Sequence, residues 1–64
     1  EFWYRQNVNQ APQFILYRDS SSKRDADFAK GKFEAGQTNA GKKFPLTITR
    51  AEIQDTAVYF CADP

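Results

Sequence analysis

Apolar and polar positions alternate with a period of two through much of the chain, and that period predicts strands. It is cleanest over residues 43–49, where Phe44, Leu46 and Ile48 share one row and Pro45, Thr47 and Thr49 the other. Over residues 56–62 both rows are largely apolar, with Ala57, Tyr59 and Cys61 against Val58, Phe60 and Ala62, as in a central strand covered on each face. Residues 2–6 set Phe2, Tyr4 and Gln6 against Trp3 and Arg5, and aromatics on both rows suit a pleated, half-buried surface. Turn formers then intervene up to Pro12, and Phe14, Ile15, Leu16 and Tyr17 make a second strand, apolar on both sides. A weaker strand centres on Phe33 over residues 32–37. Between these, residues 18–27 read as a solvated polar loop with room for a short edge strand. Gly31 supplies a positive φ to a turn, and residues 38–42 form a compact turn. Residues 50–55 suit one helical turn that drops Ile53 into the core. Short strands separated by turns, without an amphipathic helix, predict an all-β fold, with a sandwich or barrel as the default.

Composition narrows what such a fold could do. Sixty-four residues make at most one small domain, marginal without a staple. The chain opens mid-pattern on Glu1, Phe2, Trp3 and Tyr4, and the expectation is a piece of a longer protein. Hydrophobic residues at 41% exclude a disordered or collagenous class, and a net charge of +1 offers no field for nucleic acid. Lys30 and Lys32 beside Phe33, and Lys42 and Lys43 beside Phe44, imitate a nucleic-acid sheet, but both rings fall on apolar rows and are expected to be buried. No nucleic-acid partner is expected. No apolar run is long enough to span a bilayer as a helix. Histidine is absent, one cysteine cannot make a thiolate metal site, and no phosphate loop or nucleophile elbow is present. The expectation is a non-enzyme without cofactor or metal. Cys61 has two readings: a small buried hydrophobe, or half of a bridge whose partner lies elsewhere.

Several signatures coincide in order and spacing. Trp3-Tyr4-Arg5-Gln6, Ala11 to Tyr17, Lys32-Phe33, Leu46-Thr47-Ile48 and Asp55 to Ala62 together resemble an immunoglobulin variable domain. In that fold a buried Trp stands on strand C, and a Tyr stands two residues before the second Cys at the start of strand F. Trp3, Tyr59 and Cys61 match those roles. The resemblance covers nearly the whole of residues 1–64 and implies a partial V-type sandwich. Strand C falls at about residues 2–7, C′ at 12–17, C″ within 18–24, D at 32–37, E at 43–49 and F at 56–63. Strands A, B and G are missing, and with them the partner of Cys61. Leu46 and Ile53 join Trp3 and Tyr59 in the implied core.

The same resemblance assigns surfaces. Lys32 and Asp55 would form an ion pair at the base of the sandwich. Tyr4, Gln6, Pro12, Phe14 and Phe60 make an outward row that would pack on a second variable domain, with Gln6 hydrogen-bonding across the pseudo-twofold axis. Several apolar side chains on one outer face mark an interaction surface. Arg18, Asp19, Ser20, Ser21, Ser22, Lys23 and Arg24 would form the second antigen loop, residues 38–42 the fourth, and Asp63 would begin the third. Ala51 is small where antibody chains carry their buried residue, and the large apolar residue is instead Ile53, nearer to Asp55. This spacing, with residues 26–30, is more similar to T-cell-receptor variable domains of the alpha/delta type. An antibody-type heavy variable domain or a non-rearranging immunoglobulin-like receptor is the alternative. The implied protein sits on the extracellular side of the plasma membrane, paired with a beta- or gamma-like chain. It would bind antigen, either free or carried on an MHC-like molecule.

Overall fold

Four successive apolar residues, Phe14 to Tyr17, pose a geometric problem, because a regular strand would send two of them to each face. The computed structural model, which describes residues 1–36 and 44–62, resolves it with a β-bulge. Strand β1 (Phe2–Gln6) pairs antiparallel with β2 (Gln13–Arg18), and the register slips between Trp3, opposite Leu16, and Tyr4, opposite Phe14. Ile15 is the extra residue. A bulge of this kind turns two neighbouring side chains to one side. Ile15 and Leu16 are both fully buried, whereas Phe14 and Tyr17 carry their rings to the opposite face beside Phe2.

The remaining strands are β3 (Lys23–Asp25), β4 (Phe33–Ala35), β5 (Leu46–Ile48) and β6 (Val58–Ala62). They form two antiparallel sheets, one ordered β3-β2-β1-β6 and the other β4-β5. The architecture is all-β and fits an incomplete immunoglobulin sandwich. Phe33 and Ala35 are buried around an exposed Glu34, and Leu46 and Ile48 are half-buried around an exposed Thr47, so each strand of the small sheet offers one row to the core. That core holds Ile15, Leu16, Ala29, Phe33, Ala35 and Phe44, with Trp3, Leu46, Ile48 and Tyr59 packed against it. Asp27–Ala29 forms a 3-10 turn that delivers Ala29 inward, and Gly31 follows at φ 78°, where only glycine is unstrained.

Several expected boundaries shift. β4 and β5 are shorter than residues 32–37 and 43–49, and their outer ends, Gln37 and Lys43, fall outside the described residues, as does the turn at 38–42. β2 begins after Pro12, β1 stops before Asn7, and β6 starts at Val58. Ile53 is a correction: it is 89% exposed and does not join the core. It opens a 3-10 turn, Ile53–Asp55, locked by reciprocal hydrogen bonds between Glu52 and Asp55. With three residues per turn, directing Asp55 at the sheet base swings Ile53 and Gln54 outward.

Candidate interaction face and loop

The outer face of the large sheet is set by register. On β1, β6 and β2 the outward residues Tyr4, Phe60 and Phe14 lie side by side, and Phe2 stands next to Tyr17. Tyr4 stacks on Phe60 with centroids 5.5 Å apart and meets Phe14 edge-on at 6.0 Å. Phe2 continues the cluster, 6.5 Å from Tyr4, 6.3 Å from Phe14 and 4.6 Å from Tyr17. Five rings thus cover one sheet face, all of them only partly buried. Phe2 and Tyr17 lie outside the expected interface set. Phe2 shares the alternation of Tyr4 and could have been included, but the bulge hid the outward turn of Tyr17. Gln6 lies on the same row opposite Val58, exposed, and its amide nitrogen donates to the Gln10 carbonyl at 2.9 Å within its own turn. Pro12 is exposed just ahead of β2.

The polar loop between β2 and β3 is not a floppy run of serines. One oxygen of Asp19 accepts from the Ser21 and Ser22 amides at 2.8 and 2.7 Å and from their hydroxyls at 3.3 and 3.1 Å. Its other oxygen accepts from the Tyr17 hydroxyl. That hydroxyl and the two amides hold the Asp19 carboxyl well below the usual carboxylate range, and the same bond pushes the Tyr17 phenol up. Arg18 corrects the expectation of a loop contact residue: it ends β2 and is 5% exposed. Its guanidinium lies 2.8 Å from Asp25 and 2.9 Å from Glu34, spanning from the large sheet to the small one. Desolvation opposes its charge, but the bonds to Glu34 and Asp25 outweigh it and raise its pKa. Ser20, Lys23 and Arg24 are exposed. Asp63 lies outside the described residues.

At the base, the Lys32 ammonium stands 2.9 Å from Asp55, 3.8 Å from Glu52, and donates to the Arg50 carbonyl at 2.9 Å. The Tyr59 hydroxyl donates to the Asp55 carbonyl at 2.6 Å, closing the corner where β6 begins. The Lys32 ammonium, and after it the Glu52 amide, draw the Asp55 pKa down.

Residues 2–64 match the family model described as the immunoglobulin V-set domain. The chain belongs to the V-set family. It is 37% identical over 62 residues to human T cell receptor beta variable 7-2, and 36% identical over 62 residues to human T cell receptor beta variable 11-3; each match takes in 95% of this chain and 53% of the relative. Human probable non-functional T cell receptor gamma variable 10 is 36% identical over 63 residues, 94% of this chain and 53% of its own. The chain therefore spans about half the length of the curated relatives it matches.

In this V-set chain Trp3 stands between Leu16 and Cys61 in the strand register, and its indole nitrogen donates to the Phe44 carbonyl at 2.9 Å, tying β1 to the segment that leads into β5. Cys61 carries a free thiol, exposed, on the same row as Tyr59. Arg5 lies over Phe28 at 4.5 Å and Phe33 at 5.6 Å. Among the described residues of the V-set chain, no cluster of three potential metal ligands occurs and no helix is long and apolar enough to cross a membrane.

Proposed function

We propose that this chain belongs to an antigen-receptor variable domain of T-cell-receptor type, a non-catalytic binding module that pairs with a second variable domain. The observation that carries the reading is the five-ring outer face, where half-buried aromatics gather on one side of the large sheet as they do on an interaction surface. Tyr4, Phe14 and Phe60 form its centre, with Gln6 and Pro12 at its margin. Gln6 would release the Gln10 carbonyl to bond across the axis. In this proposal Cys61 is half of a disulfide to a strand outside residues 1–64, stacked against Trp3. Strands A, B and G of the domain lie in the rest of the protein.

The polar segment from Asp19 to Arg24 is proposed as an antigen loop, with Ser20, and Lys23 and Arg24 at the start of β3, as its exposed groups. Antigen carried on an MHC-like molecule is the proposed target, and the extracellular side of the plasma membrane the proposed location. The finer subtype rests on Ala51 and Ile53 relative to Asp55, which resemble alpha/delta domains, although the named relatives are beta and gamma. On that subtype the partner is beta- or gamma-like. The test is association of the whole variable domain with beta-like and gamma-like partner domains, with and without Tyr4→Ala. Loss of a central interface aromatic costs about 2 kcal/mol or more at a hot spot, about thirtyfold in Kd. A Kd unchanged by Tyr4→Ala and Phe60→Ala would remove this face from the interface.

A further inference from the structure

Given that residues 19–24 form an antigen loop, a reading this inference rests on, only some of the charged side chains at that end of the fold are available to touch ligand. Asp19 and Arg18 are both charged, and both are already engaged. The Asp19 carboxylate bridges the chain on either side of Ser20, gathering two backbone amides, two serine hydroxyls and the Tyr17 hydroxyl, while its own amide donates to the Ser22 carbonyl at 3.1 Å. Arg18 fastens the foot of the loop from below. It reaches Asp25 at the far end of β3 and Glu34 on the other sheet, and it donates to the Tyr17 carbonyl at 2.7 Å. By contrast Ser20, Lys23 and Arg24 are exposed, and neither cation has an ion pair among the described residues.

We propose that Asp19 is a positioning residue that shapes the loop before any ligand arrives, leaving specificity to Ser20, Lys23 and Arg24. A loop fixed in advance loses less freedom on binding, which favours affinity and narrows the set of ligands it accepts. A purely adaptable serine loop would behave in the opposite way.

The experiment is residue-resolved amide exchange on the whole variable domain in its paired form, without ligand. Within the wild-type sample the Ser21 and Ser22 amides should exchange roughly tenfold or more slowly than that of Ser20, the ratio expected for hydrogen bonds to a charged acceptor. Asp19→Ala should abolish that difference, and Asp19→Asn should retain some of it, because the amide oxygen can still accept. The Ile15 and Leu16 amides report whether the fold is intact. Equal exchange at Ser20, Ser21 and Ser22 in the wild type would overturn the proposal whether or not the variants fold. So would equal exchange in Asp19→Asn and Asp19→Ala. The comparison among the three amides is internal to one sample and can be repeated on the unpaired domain, so a failed pairing reading and a failed loop reading are told apart.

Discussion

The bulge in β2 makes a prediction that simple alternation does not. In a regular strand Ile15 and Tyr17 would share a face, and Phe14 and Leu16 the other. With Ile15 as the extra residue, Ile15 and Leu16 form the buried pair at 0% exposure, while Phe14 and Tyr17 are only half-buried. Truncating a fully buried Ile or Leu to Ala costs about 2–5 kcal/mol, from lost transfer energy plus the cavity left behind. The Leu16 site does not collapse easily, because Leu16 sits opposite Trp3, whose indole is held by the Phe44 carbonyl. Ile15→Ala and Leu16→Ala should therefore each fall in that range. Phe14→Ala and Tyr17→Ala lose ring contacts of about 0.5–1.5 kcal/mol per pair together with some of their buried area, and their larger effect should appear in partner association. The assay is urea unfolding of the whole variable domain, comparing midpoints at constant slope. An Ile15→Ala variant within about 0.5 kcal/mol of wild type, the range of an ordinary surface substitution, would refute the bulge register.

Two further outcomes follow from the base of the fold. Ile53, at 89% exposure, should tolerate replacement by serine within about 0.5 kcal/mol; a loss several times larger would show that another segment of the protein covers it. Asp55 has its carboxyl pKa lowered below the ordinary 3.8 by Lys32 and the Glu52 amide. Its contribution is thus fully present above the unfolded-state value and is lost as pH falls through the lower folded-state value. Acid titration of stability should show an extra loss of stability beginning near the ordinary carboxylate pKa and extending below it, absent in Asp55→Asn; identical profiles would show that the pair does not contribute.

How much of this was legible in the residues depends on whether the information was local. The period-two row of β5 survives in the fold, because Leu46 and Ile48 need only alternate to reach the core. β6 keeps its alternation, with Tyr59 packed on the core, but it stands at the edge of its sheet with Val58 66% exposed and Cys61 exposed, not as a central strand covered on each face. The outer row of Tyr4, Phe14 and Phe60 was implied by the family resemblance rather than by alternation, and the register carries it across three strands. What could not be read were departures from regular periodicity. The extra residue at Ile15 moved Tyr17 outward and Arg18 inward, so an aromatic was missed at the face and an arginine was misplaced in the loop. Ile53 failed for a similar reason: its apolar character suggested burial, but the turn's own carboxylates fixed its direction. Asp19 looked like one charge among many, because a side chain that bonds its near neighbours leaves no mark on hydrophobic patterning.

Tyr17 belongs to two structures at once. Its ring closes the aromatic sheet face against Phe2, and its hydroxyl is one of the donors that hold Asp19. A partner chain on the face would therefore meet the same residue that the loop uses to hold Asp19. Were covering the face to raise the affinity of the loop for its ligand, ligand would raise the affinity for the partner by the same factor, because such a coupling is reciprocal in free energy.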